Sequence, residues 1–182
     1  VCANASVTLS SPTSGGSWSS SNTSVATIGT GGVVSGVSSG TTIITYAVTN
    51  SFGCTSQVTR NFTVNPIPVV NSIGGSLSLC QGTTTSLSNT TTGGTWSSGA
   101  TSVATISSLG LVTAVSSGTS TISYLVTNGF GCSNRATAVI TVNPLPVVNP
   151  ITGSLVVCRF DSTTLSNSPS GGVWSRSNYQ DH

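Results

Sequence analysis

Apolar and polar residues alternate along most of this chain. In "TTIITYAV" (41–48), Ile44, Tyr46 and Val48 share one face, with Thr45 and Ala47 on the other. "STISYLV" (120–126) repeats the arrangement with Ile122, Tyr124 and Val126. "NFTV" and "VITV" turn Phe62 with Val64, and Ile140 with Val142, to one side; "SVTLS" and "TTTSLS" do the same with Leu9 and Leu87. A period of two, rich in β-branched residues, predicts strands with one buried face. Turn signals such as "SGG", "GTGG", "SSG" and "NSFG" separate these strands at about the 8–12-residue spacing of a β-sandwich. No stretch carries helical periodicity. The pattern predicts an all-β chain of antiparallel sandwiches.

The pattern also recurs. Cys2, Cys80 and Cys158 are 78 residues apart, as are Trp18, Trp96 and Trp174. Cys54 and Cys132 keep the same interval, and so do Tyr46 and Tyr124. Residues 2–79 align with 80–157 without a gap, and 43 of the 78 positions are identical. Loops ordinarily gain and lose residues, so an ungapped match points to recent duplication or to a geometry that fixes loop length. Pro66 and Pro68, and again Pro144 and Pro146, mark the joints, because proline locks φ and stiffens an extended link. The predicted frame is 1–65 for a first repeat without a counterpart of strand 67–79, 66–143 for a complete second repeat, and 144–182 for the first two or three strands of a third.

Composition narrows what such a chain does. Only six of 182 side chains are Asp, Glu, Lys or Arg, and Ser and Thr supply 66. Low charge with ample Val, Ile and Leu is not the composition of disorder. No apolar run approaches the roughly 18 residues that span a bilayer, so no membrane insertion is expected. A net charge of +2 is too small and dispersed for a nucleic-acid partner. The chain has no signal-peptide pattern and begins with Val, from which we expect a processed product or part of something longer.

Chemistry is scarce. Acid–base catalysis needs a side chain that titrates near the working pH, and from Val1 to Val157 there is no Asp, Glu, His or Lys. Arg60 and Arg135 are the charged side chains there, and Asp161, Asp181 and His182 lie near the C-terminus. The serines therefore lack a base to activate them, and no catalytic residue is assigned. No C-x-x-C pair or His cluster suits zinc, and the joint at 66–68 has no carboxylates for calcium. No metal or cofactor is expected. The glycine pairs precede no helix and read as turns rather than phosphate loops. Trp18, Trp96 and Trp174, with Tyr46 and Tyr124, are read as core aromatics rather than a sugar platform. Threonine rows such as 83–85 are read as solvent-facing strand positions. Asn4, Asn22, Asn61 and Asn89 satisfy N-x-[ST].

"WSSSNTSVATI" (18–28) followed by "GGVVSGVSSGTTIITY" (31–46) resembles the bacterial immunoglobulin-like domain of group 2. The second copy departs at Gly99, Ala100 and Ala114, and the third keeps "GGVWSRSN" before diverging at "YQDH". The "VNPLPVV" joints, with "LC" opening and "FGC" closing each repeat, are similar to tandem modules of long surface or secreted proteins of Bacteroidota-type bacteria. The resemblance implies tandem Ig-like sandwiches serving as stalks or adhesin shafts, at the cell surface or outside the cell. Asp161-Ser162-Thr163 resembles the short O-glycosylation acceptor motif of those bacteria, which makes Ser162 and Thr163 candidate glycosylation sites.

Five cysteines in such a chain imply an oxidising compartment and structural disulfides. The candidates are Cys2, Cys54, Cys80, Cys132 and Cys158. The simplest pairing joins the early and late cysteine of each repeat, Cys2–Cys54 and Cys80–Cys132. If a sandwich holds those at opposite ends, a bond across the joint, Cys2–Cys132, is better placed. Cys54–Cys80 across the proline linker is the third arrangement; spacing alone does not choose among them.

Uncharged strands oppose association weakly, and edges without Lys or Glu are poorly defended against pairing. The expected partners are further repeats of the same chain or other copies of it, with surface glycans as the alternative ligand class. Three functional readings follow: a spacer shaft; a filament in which strands are complemented between chains; and a glycan- or ice-binding module.

Overall fold

The structure, a computed structural model, describes residues 1–176; Asp181 and His182 lie outside the described residues. Two compact units are present, Val1–Asn143 and Pro144–His182.

The first unit contains thirteen strands and, among its residues, no helix. In the first repeat, β1 (Ser6–Thr8), β4 (Val33–Gly36) and β3 (Ala26–Ile28) form one antiparallel sheet, with β4 central. The second sheet orders β2 (Ser17–Ser20), β5 (Gly40–Thr49) and β6 (Thr55–Val64), with β5 central. In the second repeat, β8 (Thr84–Ser86), β11 (Leu111–Ala114) and β10 (Ala104–Ile106) match the first sheet. β9 (Thr95–Ser98), β12 (Gly118–Thr127) and β13 (Ser133–Asn143) match the second. Here β7 (Ser78–Cys80) is added alongside β13, parallel to it, pairing Ser78 with Thr141 and Cys80 with Asn143. In the first repeat the corresponding contact is a single parallel bridge between Cys2 and Asn65. This is an all-β, Ig-like sandwich architecture.

The alternation read from the sequence is the burial pattern. Ile44, Tyr46 and Val64 are buried in the first repeat, and Leu87, Ile122, Tyr124, Ile140 and Val142 in the second. The apolar side chains form two separate clusters. One is built from Val25, Ala26, Val34, Ile44 and Val64, the other around Val112, Ile122 and Ile140. Each follows from antiparallel sheets whose inward faces bury β-branched residues and whose outward faces carry Thr and Ser.

Two polar devices brace each sandwich. Tyr124 Oη donates to the Thr91 carbonyl and accepts from Gly94 N–H at 2.9 Å. Trp96 leans on the same ring, with centroids 4.6 Å apart. Tyr46, Thr13, Gly16 and Trp18 repeat this arrangement in the first repeat. The second device is a buried hydroxyl. Ser120 Oγ lies 2.8 Å from Ser98 Oγ and accepts from Ala100 N–H, while Thr42 Oγ1 meets Ser20 and Ser21 and accepts from Asn22 N–H. Among the described residues, no buried side-chain nitrogen or oxygen lacks a hydrogen-bond partner.

In the second unit, residues 144–176 contain no strand; Thr152 and Ser166 form one isolated antiparallel bridge. The two or three strands expected there reduce to that bridge, because a strand pair without a third strand or a facing sheet is marginal in water.

Candidate functional site: the joint between repeats

Val64-Asn65-Pro66 closes β6, which ends at Val64, and Val142-Asn143-Pro144 closes β13, which ends at Asn143. Proline removes the donor that would continue the ladder, so the chain leaves β6 at Pro66 and crosses to the second repeat. Asn128 Nδ2 donates to the Pro66 carbonyl at 2.8 Å, and Asn134 Nδ2 to the Pro68 carbonyl at 3.1 Å. The segment then runs along the sandwich. Asn71 N–H donates to Thr91 Oγ1, Gly74 and Ser88 exchange backbone bonds, and Thr141 N–H donates to the Leu77 carbonyl. Asn89 Nδ2 donates to the Asn71 carbonyl at 2.6 Å, so this N-x-[ST] asparagine holds the linker.

The covalent element of the joint is the Cys2–Cys132 disulfide, with Cα atoms 5.6 Å apart. Cys132 closes the turn between β12 and β13. Asn128 Oδ1 accepts from Phe130 N–H and Cys132 N–H there, which fixes the turn. Cys132 is 1% exposed and Cys2 half-buried.

This corrects the simplest pairing, Cys2–Cys54 with Cys80–Cys132. Cys2 lies beside Asn65, past the far end of β6, while Cys54 precedes its first residue. Ten strand residues separate those ends by about 33 Å, and a disulfide needs Cα atoms within about 7 Å. The eleven residues of β13 separate Cys80 from Cys132 in the same way. Cys54, Cys80 and Cys158 are exposed thiols, so the Cys54–Cys80 arrangement is not made within the chain either.

The other singled-out residues are placed as follows. Tyr46 and Tyr124 are buried, and Trp18 and Trp96 are half-buried against them. Trp174, read as a third core aromatic, is 56% exposed; Trp18 and Trp96 rest on the tyrosine opposite them on the paired strand of the same sheet, and among the described residues no strand offers one to Trp174. Pro68 is half-buried in the joint, and Pro66, Pro144 and Pro146 are exposed. Ser162 and Thr163 are exposed, and the Thr163 hydroxyl donates to the Ser154 carbonyl at 3.0 Å. Among the described residues, no three His, Cys, Asp or Glu side chains stand close enough to hold a metal ion.

The linker amides Asn128 and Asn134 were not singled out in the sequence. Asn128 has a legible signal, since "TNGFGC" repeats "TNSFGC". Asn134 has none, because Ser56 stands 78 residues before it.

No curated protein matches the chain. Among solved structures, the chain is similar to surface layer protein SbsC, domains 1–6, at 20% identity and a TM-score of 0.30. That alignment covers 77% of this chain and 21% of the other, so this chain spans about a fifth of it. A C-terminal 282-residue fragment of intimin, solved with the intimin-binding domain of its translocated receptor, aligns at 15% identity and a TM-score of 0.33, covering 77% of this chain and 54% of that one. Murine CEACAM1b aligns at 13% identity and a TM-score of 0.30, covering 69% of this chain and 70% of the other. The family model of the bacterial Ig-like domain (group 2) matches residues 57–134, from within β6, through the joint, to the start of β13.

Proposed function

We propose that this chain is a structural segment of an extracellular or bacterial cell-surface protein, a shaft of tandem Ig-like repeats that holds other parts at a set separation. The frame is 1–65, 66–143 and 144 onward, supported by two separate apolar clusters in the first unit and by the unit boundary at Asn143. The observation that carries the reading is the joint, where a disulfide bonds the first repeat to the second and two asparagine amides hold the start of the linker against the second repeat. The disulfide supports an oxidising location. A non-catalytic role is supported by the lack of any Asp, Glu, His or Lys before residue 158.

Small-angle scattering of the oxidised chain and of Cys132→Ser tests the reading. A single fixed arrangement of the first two repeats should fit the oxidised chain, and a broad ensemble should be needed for the variant. An oxidised chain that itself requires a broad ensemble, or that binds strongly on a glycan array, would overturn it. Assembly of copies into a filament is a second reading, favoured by the exposed thiols of Cys54 and Cys80 at opposite ends of the first unit.

A further inference from the structure

We propose that Asn128-Gly129 is a deamidation site that records opening of the joint and makes it permanent. Docked, the Asn128 side chain is tied at both ends. Released, it closes on the Gly129 nitrogen, and the donor that held Pro66 is lost.

Asn128 does two jobs with two atoms. Its Oδ1 accepts from Phe130 N–H at 3.1 Å and from Cys132 N–H at 3.0 Å, which shapes the turn. Its Nδ2 donates to the Pro66 carbonyl at 2.8 Å, which holds the linker. An aspartate in its place keeps the acceptor and loses the donor, since an ionised carboxylate only accepts. A negative oxygen then faces the Pro66 carbonyl where an amide had bonded to it.

The residue that follows opens the route to this exchange. Asn-Gly occurs once in the sequence, at this turn. Glycine has no side chain to crowd its own nitrogen, which is the atom that must attack the preceding side chain. The turn itself does not ask for glycine. Gly129 has no left-handed φ, and a Cβ on it would meet open space. Ser51 stands in the same place in the first repeat, where Asn50 Oδ1 makes the same two bonds, to Phe52 N–H and Cys54 N–H. Gly129 is exposed and Asn128 half-buried, so water reaches the site.

The joint governs the rate. Cys2 is bridged to Asn65 and bonded to Cys132, so the disulfide keeps Pro66 against the turn that carries Asn128. While Pro66 is there, the side chain must give up three hydrogen bonds to swing onto the Gly129 nitrogen, and the departing nitrogen is one of the bonded atoms. A modification that needs local opening follows the population of the open form.

The step balances without an oxidant. The Gly129 nitrogen bonds to Asn128 Cγ and loses its proton, the Cγ–Nδ2 bond breaks, and Nδ2 leaves as ammonia. Water then opens the cyclic imide at either carbonyl, leaving aspartate or isoaspartate at position 128. Either product lacks the donor to Pro66.

The test ages the full oxidised chain in neutral buffer beside Cys2→Ser, which frees the joint without touching the turn, and beside Cys2→Ser carrying Gly129→Ser, which copies the first repeat. Circular dichroism checks that each keeps its strands, and peptide mapping scores aspartate and isoaspartate at position 128. We expect Cys2→Ser to deamidate on the order of tenfold faster than the parent, and Gly129→Ser to remove most of that gain. Asn128→Asp, with its disulfide intact, supplies a second readout by hydrogen exchange. The Asn71 amide of the linker should exchange faster than in the parent, with the Phe130 and Cys132 amides as protected as before. Equal deamidation in the parent and Cys2→Ser, none in either, a gain indifferent to Gly129→Ser, or an unchanged Asn71 amide in Asn128→Asp would overturn the proposal.

Discussion

Tyr124 Oη sits 2.8 Å from the Thr91 carbonyl, and Tyr46 Oη sits 2.7 Å from the Thr13 carbonyl, so one phenol in each sandwich pins the loop leading to its tryptophan. The ring buries its body beside Trp96 and spends its polar tip on two backbone groups.

Tyr124→Phe keeps the ring and removes the tip, leaving the Gly94 N–H and the Thr91 carbonyl without this partner. A loss of about 1–3 kcal/mol is expected for such unsatisfied groups, read as a lower urea midpoint with an unchanged m-value.

Glycine is required where φ is positive and a neighbour is close. Gly110 has φ +83°, and a Cβ there would run into the Leu87 carbonyl. Gly110→Ala should destabilise by more than about 1 kcal/mol, since strain at a left-handed position adds to the clash. Gly31→Ala, where a Cβ meets open space, should stay within about 0.5 kcal/mol of the parent. Thermal melts of the two variants side by side check the contrast.

Ser120 is 3% exposed, and its hydroxyl serves Ser98 and Ala100. Ser120→Ala should cost about 1–3 kcal/mol. Ser123→Ala, on the opposite face of β12 and without a side-chain bond in the structure, should cost less than about 0.5 kcal/mol. Chemical denaturation measures both.

Stability should depend weakly on pH. Acid unfolding arises where carboxylates or histidines titrate differently in the folded and unfolded states, and Val1–Asn143 contains neither. The melting temperature of this unit should be nearly flat from about pH 4 to about pH 7. A steep fall on acidification would show that groups outside the unit govern its folding.

Removing the disulfide should loosen the coupling of the repeats as well as lower stability. The bond closes a loop with a sequence separation of 130, for which the chain-entropy account gives about 5 kcal/mol. Calorimetry with and without reductant should show one transition separating into two.

Much of the fold was legible because β-sandwiches write their inward face as a period of two. Ile44, Tyr46, Ile122 and Tyr124 fall where the alternation puts them. The joint was only half legible. Its prolines and cysteines stand out, but which cysteines meet depends on the length of β6 and β13, and both strands run unbroken from one end of the sandwich to the other. Counting those residues favours the bond across the joint over the bond within a repeat. Thr42 and Ser120 were hidden for another reason. In a chain so rich in Ser and Thr, two buried hydroxyls look like the solvent-facing ones around them, and only the contacts with Ser20, Ser21 and Ser98 distinguish them.

The link between Cys2 and Cys132 also decides where a pulling force travels. Load entering at Val1 passes through the sulfur bridge to Cys132 and along β13 toward Pro144, leaving the chain between the two cysteines slack. With about 3.3–3.6 Å of contour per residue, roughly 45 nm of polypeptide is held in reserve. Pulled from its ends, the oxidised unit should lengthen little, and the reduced unit should lengthen further as each sandwich gives way. The oxidation state of this one bond should thereby set how far the unit extends under load.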